Sequence, residues 1–285
     1  MRPDTNLSGL FYLSDFIASN HNRTPIGKYL GHPAIKVLRI TDKQSGFLDL
    51  KRYLHEKDIQ NRTDHILMVD TAYEPTRDFC DKILAGLGIE TTYYPPGIGA
   101  GISELIKDNT RVLFLESPGS ITMEVQDVPA MVAKANECGV MTMLDNTWGN
   151  GLHFRPLEHG VDISIQAATK YIVGHSDVMM GVAVANKKYW PTLRENSYLL
   201  GQCTSADDAY LALRGLRTMA VRLKQHEQAA IEVAKWLETH PLVDHIRHPA
   251  FATCPGHEFF KRDFDGSNGL FSFVMKQGNQ QAIDA

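Results

Sequence analysis

The chain has 285 residues, 43% of them hydrophobic and 22% charged, with a formal net charge of −4. That length carries one large or two modest domains with a sizeable core, and the small negative charge gives no reason to expect nucleic acid or an anionic membrane surface as a partner. No run of about 18 apolar residues marks a membrane span, the start Met1-Arg-Pro-Asp-Thr5 lacks the apolar core of a secretory signal, and four cysteines (80, 138, 203 and 254) in no zinc or redox spacing suit a reducing cytosol, so a cytoplasmic location is expected.

Residues 1–64 give the weakest pattern. Asn20 to Pro25 is polar and turn-like, Ala34 to Ile40 alternates as a strand does, and Phe47 to Ile59 has the spacing of a short amphipathic helix. From Asp64 the pattern becomes regular. His65 to Val69 reads as a buried strand, and Pro75 opens a helix that runs to about Leu87 with Gly88 as its stop. A strand is expected over Glu90 to Tyr94, a short helix over Ile102 to Ile106, and a strand over Arg111 to Leu115 that Ser117-Pro-Gly ends. A helix over Val128 to Cys138, closed by Gly139, leads to a strand over Val140 to Leu144 that delivers Asp145. A helical turn at Pro156 to His159 precedes a strand over Asp162 to Ala168 that ends near Lys170, and Val178 to Ala185 reads as one more strand. Helical spacing returns over Ala206 to Gly215 and Leu216 to His240, with Pro241 as the breaker; Val243 to Pro249 and Leu270 to Met275 read as strands of a smaller domain.

Strands alternating with helices at this spacing predict an α/β fold with a mostly parallel sheet, and such sheets bind ligands at the carboxyl ends of their strands. Asp145 and Lys170 both fall there. A lysine at the end of an apolar strand is costly unless it is used or paired; taken alone it also fits a side chain that snorkels to solvent, and Asp145 taken alone fits a turn cap. His175, Ser176 and Asp177 are consecutive, so their side chains cannot converge as a hydrolytic triad. His153, His159 and His175 lack paired ligand spacing, and no metal is expected.

Several stretches from Asp64 to about Phe273 resemble the bacterial cystathionine β-lyases of the Cys/Met-metabolism group of pyridoxal-phosphate enzymes. They are Thr71-Ala-Tyr-Glu-Pro75, Phe114-Leu-Glu-Ser-Pro-Gly-Ser-Ile-Thr-Met-Glu124, Asp145-Asn-Thr-Trp148, Gln166-Ala-Ala-Thr-Lys-Tyr171, Gly174-His-Ser-Asp177, Leu213-Arg-Gly-Leu-Arg-Thr218 and Gly256-His-Glu-Phe259. The resemblance implies the fold-type-I pyridoxal-phosphate architecture, with an unmatched segment over 1–64, a cofactor-binding large domain over 65–216 and an incomplete small α/β domain over 217–285. It implies pyridoxal 5′-phosphate held by Lys170 as a Schiff base, Asp145 on the ring nitrogen, Tyr73 stacked over the ring and available for proton transfer, and Thr169 at the phosphate, with Ala167 where many relatives carry a serine. The implied reaction cleaves L-cystathionine to homocysteine, pyruvate and ammonia, a step towards methionine; γ-elimination and γ-replacement by relatives stay open as alternatives. Family members assemble as homo-oligomers, typically tetramers. Residues 1–64 contain neither the Tyr-x-Arg pair nor the Ser-Gly-small-Ala-Ala turn that the family sets at the phosphate, and no arginine follows Arg262 to clamp a substrate carboxylate. A catalytically impaired or inactive fragment with weakened self-association is therefore the second expectation.

Overall fold

The computed structural model describes residues 36–40 and 64–276. The turn over Asn20 to Pro25 and the helix over Phe47 to Ile59 lie outside the described residues. Nine strands are formed within them: β1 (Lys36–Ile40), β2 (His65–Val69), β3 (Glu90–Tyr94), β4 (Thr110–Glu116), β5 (Met141–Asp145), β6 (Ile163–Ala167), β7 (Gly181–Ala185), β8 (Val243–Arg247) and β9 (Ser272–Met275). The first seven make one sheet in the order β1-β7-β6-β5-β4-β2-β3, and β8 and β9 pair separately.

β2 to β6 run parallel. All five residues of β2 and all five of β5 are buried, as a sheet covered on both faces requires. β7 is antiparallel to both β6 and β1, with Gly181 opposite Ala167. Hydrophobic pattern carries no strand direction, so this reversal was not legible beforehand. It has a consequence for the site: β7 begins on the same edge of the sheet where β6 ends.

The connecting helices follow their punctuation. α1 (Glu74–Asp78) continues through a π turn (Phe79–Leu84) and a 3₁₀ turn (Ala85–Leu87) to Gly88, whose φ of 79° lets the chain reverse. The expected short helix near Ile102 is a longer 3₁₀ stretch, Pro96–Leu105, bent at Gly99. α2 (Val128–Glu137) starts with the Asp127 carboxylate accepting from Ala130 N at 3.4 Å. α3 (Trp190–Leu199) was not anticipated; it buries only Leu193, Asn196 and Ser197, too few apolar positions to mark a stripe. α4 (Ala206–Leu216) and the long α5 (Met219–Glu238) match expectation, and α6 (His257–Asp263) is short.

α5 serves two cores. Its first turns bring Met219 and Leu223 against Ala168, Ile172 and Val173, just beyond β6. Its later part puts Ala234 against Val243 and Ile246 of β8. Among the described residues no helix is long and apolar enough to cross a membrane.

Candidate active site

The carboxyl ends of β2, β4, β5 and β6 lie along one edge of the sheet, joined there by the start of β7. The chain leaves β2 towards β3 on one side and returns to β4 on the other, so the direction of strand addition reverses between β2 and β4. Such a reversal opens a crevice at the carboxyl edge. The loops after these two strands touch: Ser120 N donates to Thr71 O at 2.9 Å. A Cβ on Gly119 would lie 2.4 Å from Thr71 Oγ1, so glycine is required for that approach. The hydroxyls of Thr71 and Thr122 are buried without a hydrogen-bond partner among the described residues, which leaves polar capacity at the crevice.

Asp145 is the last residue of β5, opposite Ile165 of β6, and is 4% exposed. Thr147 orients it twice: the hydroxyl donates to Asp145 Oδ1 at 2.5 Å and the backbone N–H donates to the same oxygen at 2.9 Å. The Thr147 hydroxyl also accepts from Ala167 N at 2.8 Å. One side chain therefore fixes the carboxylate and ties the end of β5 to the end of β6.

Lys170 stands in the turn that follows β6, with its side chain exposed. Its N–H donates to Ala167 O at 3.0 Å and its carbonyl accepts from Gly174 N at 2.8 Å. Tyr73 caps α1 beside this edge and is 38% exposed; its N–H donates to Glu116 Oε2 at 2.9 Å, so the carboxylate at the end of β4 sets where the ring stands. Thr169 already has partners within the chain. Its hydroxyl donates to Met180 O at 3.2 Å and accepts from Met180 N at 2.8 Å, closing the turn between β6 and β7. One lone pair of that oxygen remains for a ligand. His175, Ser176 and Asp177 are exposed, and among the described residues no cluster of three or more His, Cys, Asp or Glu could hold a metal ion.

The turn carrying Lys170 is pinned from behind by Arg222 of α5, a residue sequence reasoning passed over. Its Nη2 donates to Tyr171 O at 2.9 Å, Ile172 O at 3.3 Å and Gly215 O at 2.9 Å, and its Nε donates to Thr218 Oγ1 at 3.0 Å. Burial lowers the guanidinium pKa from its ordinary value, but an arginine stays protonated, and the three carbonyls stabilise its charge. Two glycines make room for this arrangement. A Cβ on Gly174, whose φ is +76°, would overlap Arg222 Nη1 at 2.1 Å, and one on Gly215 would lie 2.2 Å from Ile172 O. The Leu213 to Thr218 match carried the only sequence signal for this contact, through Gly215.

An exposed amine, a buried and oriented carboxylate, and a half-exposed phenol on one sheet edge form a donor set that fits pyridoxal phosphate: an amine for its aldehyde, a carboxylate for its ring nitrogen and a ring for its face. The model of the Cys/Met metabolism PLP-dependent enzyme family matches residues 56–285. The chain belongs to this family. Its match begins a few residues earlier than the motif run from Asp64 and extends to the last residue. The chain is 56% identical over 216 residues to "Cystathionine beta-lyase MetC" of Escherichia coli (strain K12), covering 75% of this chain and 55% of that protein. It is likewise 56% identical over 216 residues to "Cystathionine beta-lyase" of Haemophilus influenzae, covering 75% and 54%. To "Cystathionine gamma-lyase" of Bacillus subtilis it is 32% identical over 226 residues, covering 79% and 59%. The crystal structure of metB from Corynebacterium glutamicum superposes with a TM-score of 0.80 at 26% identity, covering 91% of this chain and 66% of that one. The chain thus spans about half the length of the curated relatives it matches. The family's cofactor is pyridoxal phosphate.

Proposed function

We propose that the protein of which this chain is all or part is a pyridoxal-phosphate-dependent carbon–sulfur lyase that converts L-cystathionine and water to homocysteine, pyruvate and ammonia. The observation that supports it most is the placement of Asp145 and Lys170 at the carboxyl ends of adjacent parallel strands, bridged by Thr147. β-Elimination is favoured over γ-elimination because the β-lyases are the nearer relatives, at 56% identity against 32%. The reading extends to a large domain over 65–216, a small one over 217–285, a cytoplasmic location and homo-oligomeric assembly.

When bound, pyridoxal phosphate supplies a protonated ring that delocalises negative charge from the substrate Cα. Asp145, held by Thr147, would keep the proton on the ring nitrogen. Lys170 Nζ would hold the cofactor's aldehyde, and when free the same nitrogen would take the Cα proton of the substrate. The electron pair left at Cα would form the double bond to Cβ as the Cβ–S bond breaks, the sulfur would leave as the thiol of homocysteine with the proton that Lys170 took from Cα, and water would hydrolyse the remaining three-carbon enamine to pyruvate and ammonia. The phenol ring of Tyr73 would cover the cofactor's face and would be available for proton transfer. The Thr169 hydroxyl gives its proton to Met180 O, so a hydrogen bond from it to a phosphate oxygen would require the hydroxyl to turn away from that carbonyl.

The test is to purify the chain with added pyridoxal phosphate, record its visible absorbance, and assay pyruvate released from L-cystathionine. Lys170→Ala is expected to abolish both the lysine-dependent band and pyruvate release. A band that persists in the variant, resists dialysis and is fixed by borohydride would assign the aldehyde to another lysine and overturn the site.

A further inference from the structure

We propose that Asn268 is a positioning residue that clamps the loop carrying Asp145 to the turn carrying Lys170. The proposal rests on the reading of those two residues given above. Asn268 lies between α6 and β9, far from Asp145 and Lys170 in sequence, and is fully buried. Its Nδ2 donates to the carbonyl of Trp148, three residues after Asp145. Its Oδ1 accepts from the hydroxyl of Tyr171, the residue after Lys170, at 2.7 Å, and from Leu270 N at 3.2 Å.

This amide can stand only one way round. Flipped, its NH₂ would face two donors and its oxygen would face a carbonyl. Burial raises the Tyr171 hydroxyl to about 12, so it stays protonated and donating at neutral pH. The clamp is itself anchored. Ser267 N and Oγ both donate to Glu227 Oε1 of α5, at 2.8 and 2.9 Å, and the indole of Trp148 donates to Leu270 O at 2.9 Å. Thr147 links β5 to β6 at the strand ends; Asn268 links them again farther out, where the loops carry the groups that meet the cofactor. Two ties at different depths fix the angle between the loops as well as their separation, and catalytic geometry is sensitive to both.

The variants separate the two halves of the clamp. Asn268→Ala orphans the Tyr171 hydroxyl and Leu270 N–H, while Trp148 O keeps its bond from Asn150 Nδ2 at 3.0 Å. Asn268→Asp retains both acceptor contacts but sets a carboxylate oxygen against the Trp148 carbonyl. Tyr171→Phe removes only the hydroxyl. Two measurements are made on the full chain. The first is amide hydrogen exchange without cofactor: Asn268→Ala is expected to speed exchange about tenfold in segments 146–152 and 169–175 but not in β2, the size expected for losing one buried hydrogen-bonded link. The second is pyridoxal phosphate affinity by absorbance titration, expected to weaken about tenfold in Asn268→Ala, with less than additive effects for Asn268→Asp and Tyr171→Phe combined. Unchanged exchange in either loop, or equal acceleration in β2, overturns the clamp; so does unchanged affinity in a chain that binds the cofactor. If Asn268→Ala does not fold, Tyr171→Phe decides: faster exchange in 146–152, the loop it does not touch, supports the clamp, and unchanged exchange there overturns it. A parent chain that binds no pyridoxal phosphate refutes the reading of Asp145 and Lys170, and the exchange result still decides whether Asn268 joins the loops.

Discussion

Replacing Gly215 by alanine sets two physical effects against each other. Gly215 lies in the last turn of α4, and alanine there improves helix propensity by up to about 1 kcal/mol. The added methyl, however, would lie 2.2 Å from Ile172 O and 2.5 Å from Val173 O, against an ordinary contact of 3.4 Å or more. Both atoms are backbone, so no side chain can swing aside. Either α4 or the turn after Lys170 must move by about 1 Å, an overpacking cost of roughly 1–3 kcal/mol. The same shift pulls Gly215 O and the 171–172 carbonyls away from Arg222 Nη2, and a charge-assisted bond lost there costs roughly 1.5–3 kcal/mol more. Taken against the propensity gain, the expected loss is about 1.5–5 kcal/mol. Urea unfolding of Gly215→Ala beside the parent chain reads it directly, and pyridoxal phosphate affinity should fall with it because the displaced turn carries Lys170. A variant as stable as the parent, or more so, would show that helix propensity governs this position and that the turn yields freely.

Thr147→Val keeps the shape but removes the hydroxyl that donates to Asp145 and accepts from Ala167 N; a stability loss of about 1.5–3 kcal/mol by denaturant titration, with weaker cofactor binding, is expected. Ile121 is β-branched, 78% exposed and held at a φ of 65°; Ile121→Gly should therefore stabilise the chain by about 1 kcal/mol, and a lower melting temperature would show that its side chain makes a contact worth more than the strain. Burial holds His65, His153 and His248 below their ordinary pKa of 6.5. Below that pH the unfolded chain takes up protons that the folded chain refuses, so this contribution is complete above pH 6.5 and is lost as the pH falls. The urea midpoint should drop between pH 7.5 and 6.0, and a flat midpoint over that interval would contradict it.

The sheet interior was legible because its strands are short apolar runs with firm ends. His65–Val69 and Met141–Asp145 are buried throughout, and polar or turn-forming residues such as Asp64, Asp70, Gly139 and Asn146 bound them. Asp145 and Lys170 were legible for the complementary reason, as ionisable groups at the ends of apolar segments. What escaped depends on partners distant along the chain. The direction of β7 follows from how the turn after Lys170 folds back, which no periodicity encodes. The Thr169 hydroxyl is used by Met180 rather than held open, and that follows only once Met180 is seen beside it. Arg222 lies 51 residues from the Tyr171 carbonyl it binds, and Asn268 lies 97 and 120 residues from Tyr171 and Trp148. Each reads in the sequence as an ordinary polar residue on or near a helix.

The antiparallel pairing of β1 with β7 bears on how the chain is made as well as on how it stands. During synthesis from the N-terminus, β1 leaves the ribosome long before β7, and its partner does not exist until most of the large sheet has been translated. When β7 does emerge, its outer row of amides and carbonyls meets a strand of its own molecule already in reach. Without β1, that row would be a bare template for strands of other molecules. A chain lacking residues 36–40 is therefore expected to aggregate from nascent and refolding states with β5, β6 and the site they carry left unaltered in sequence.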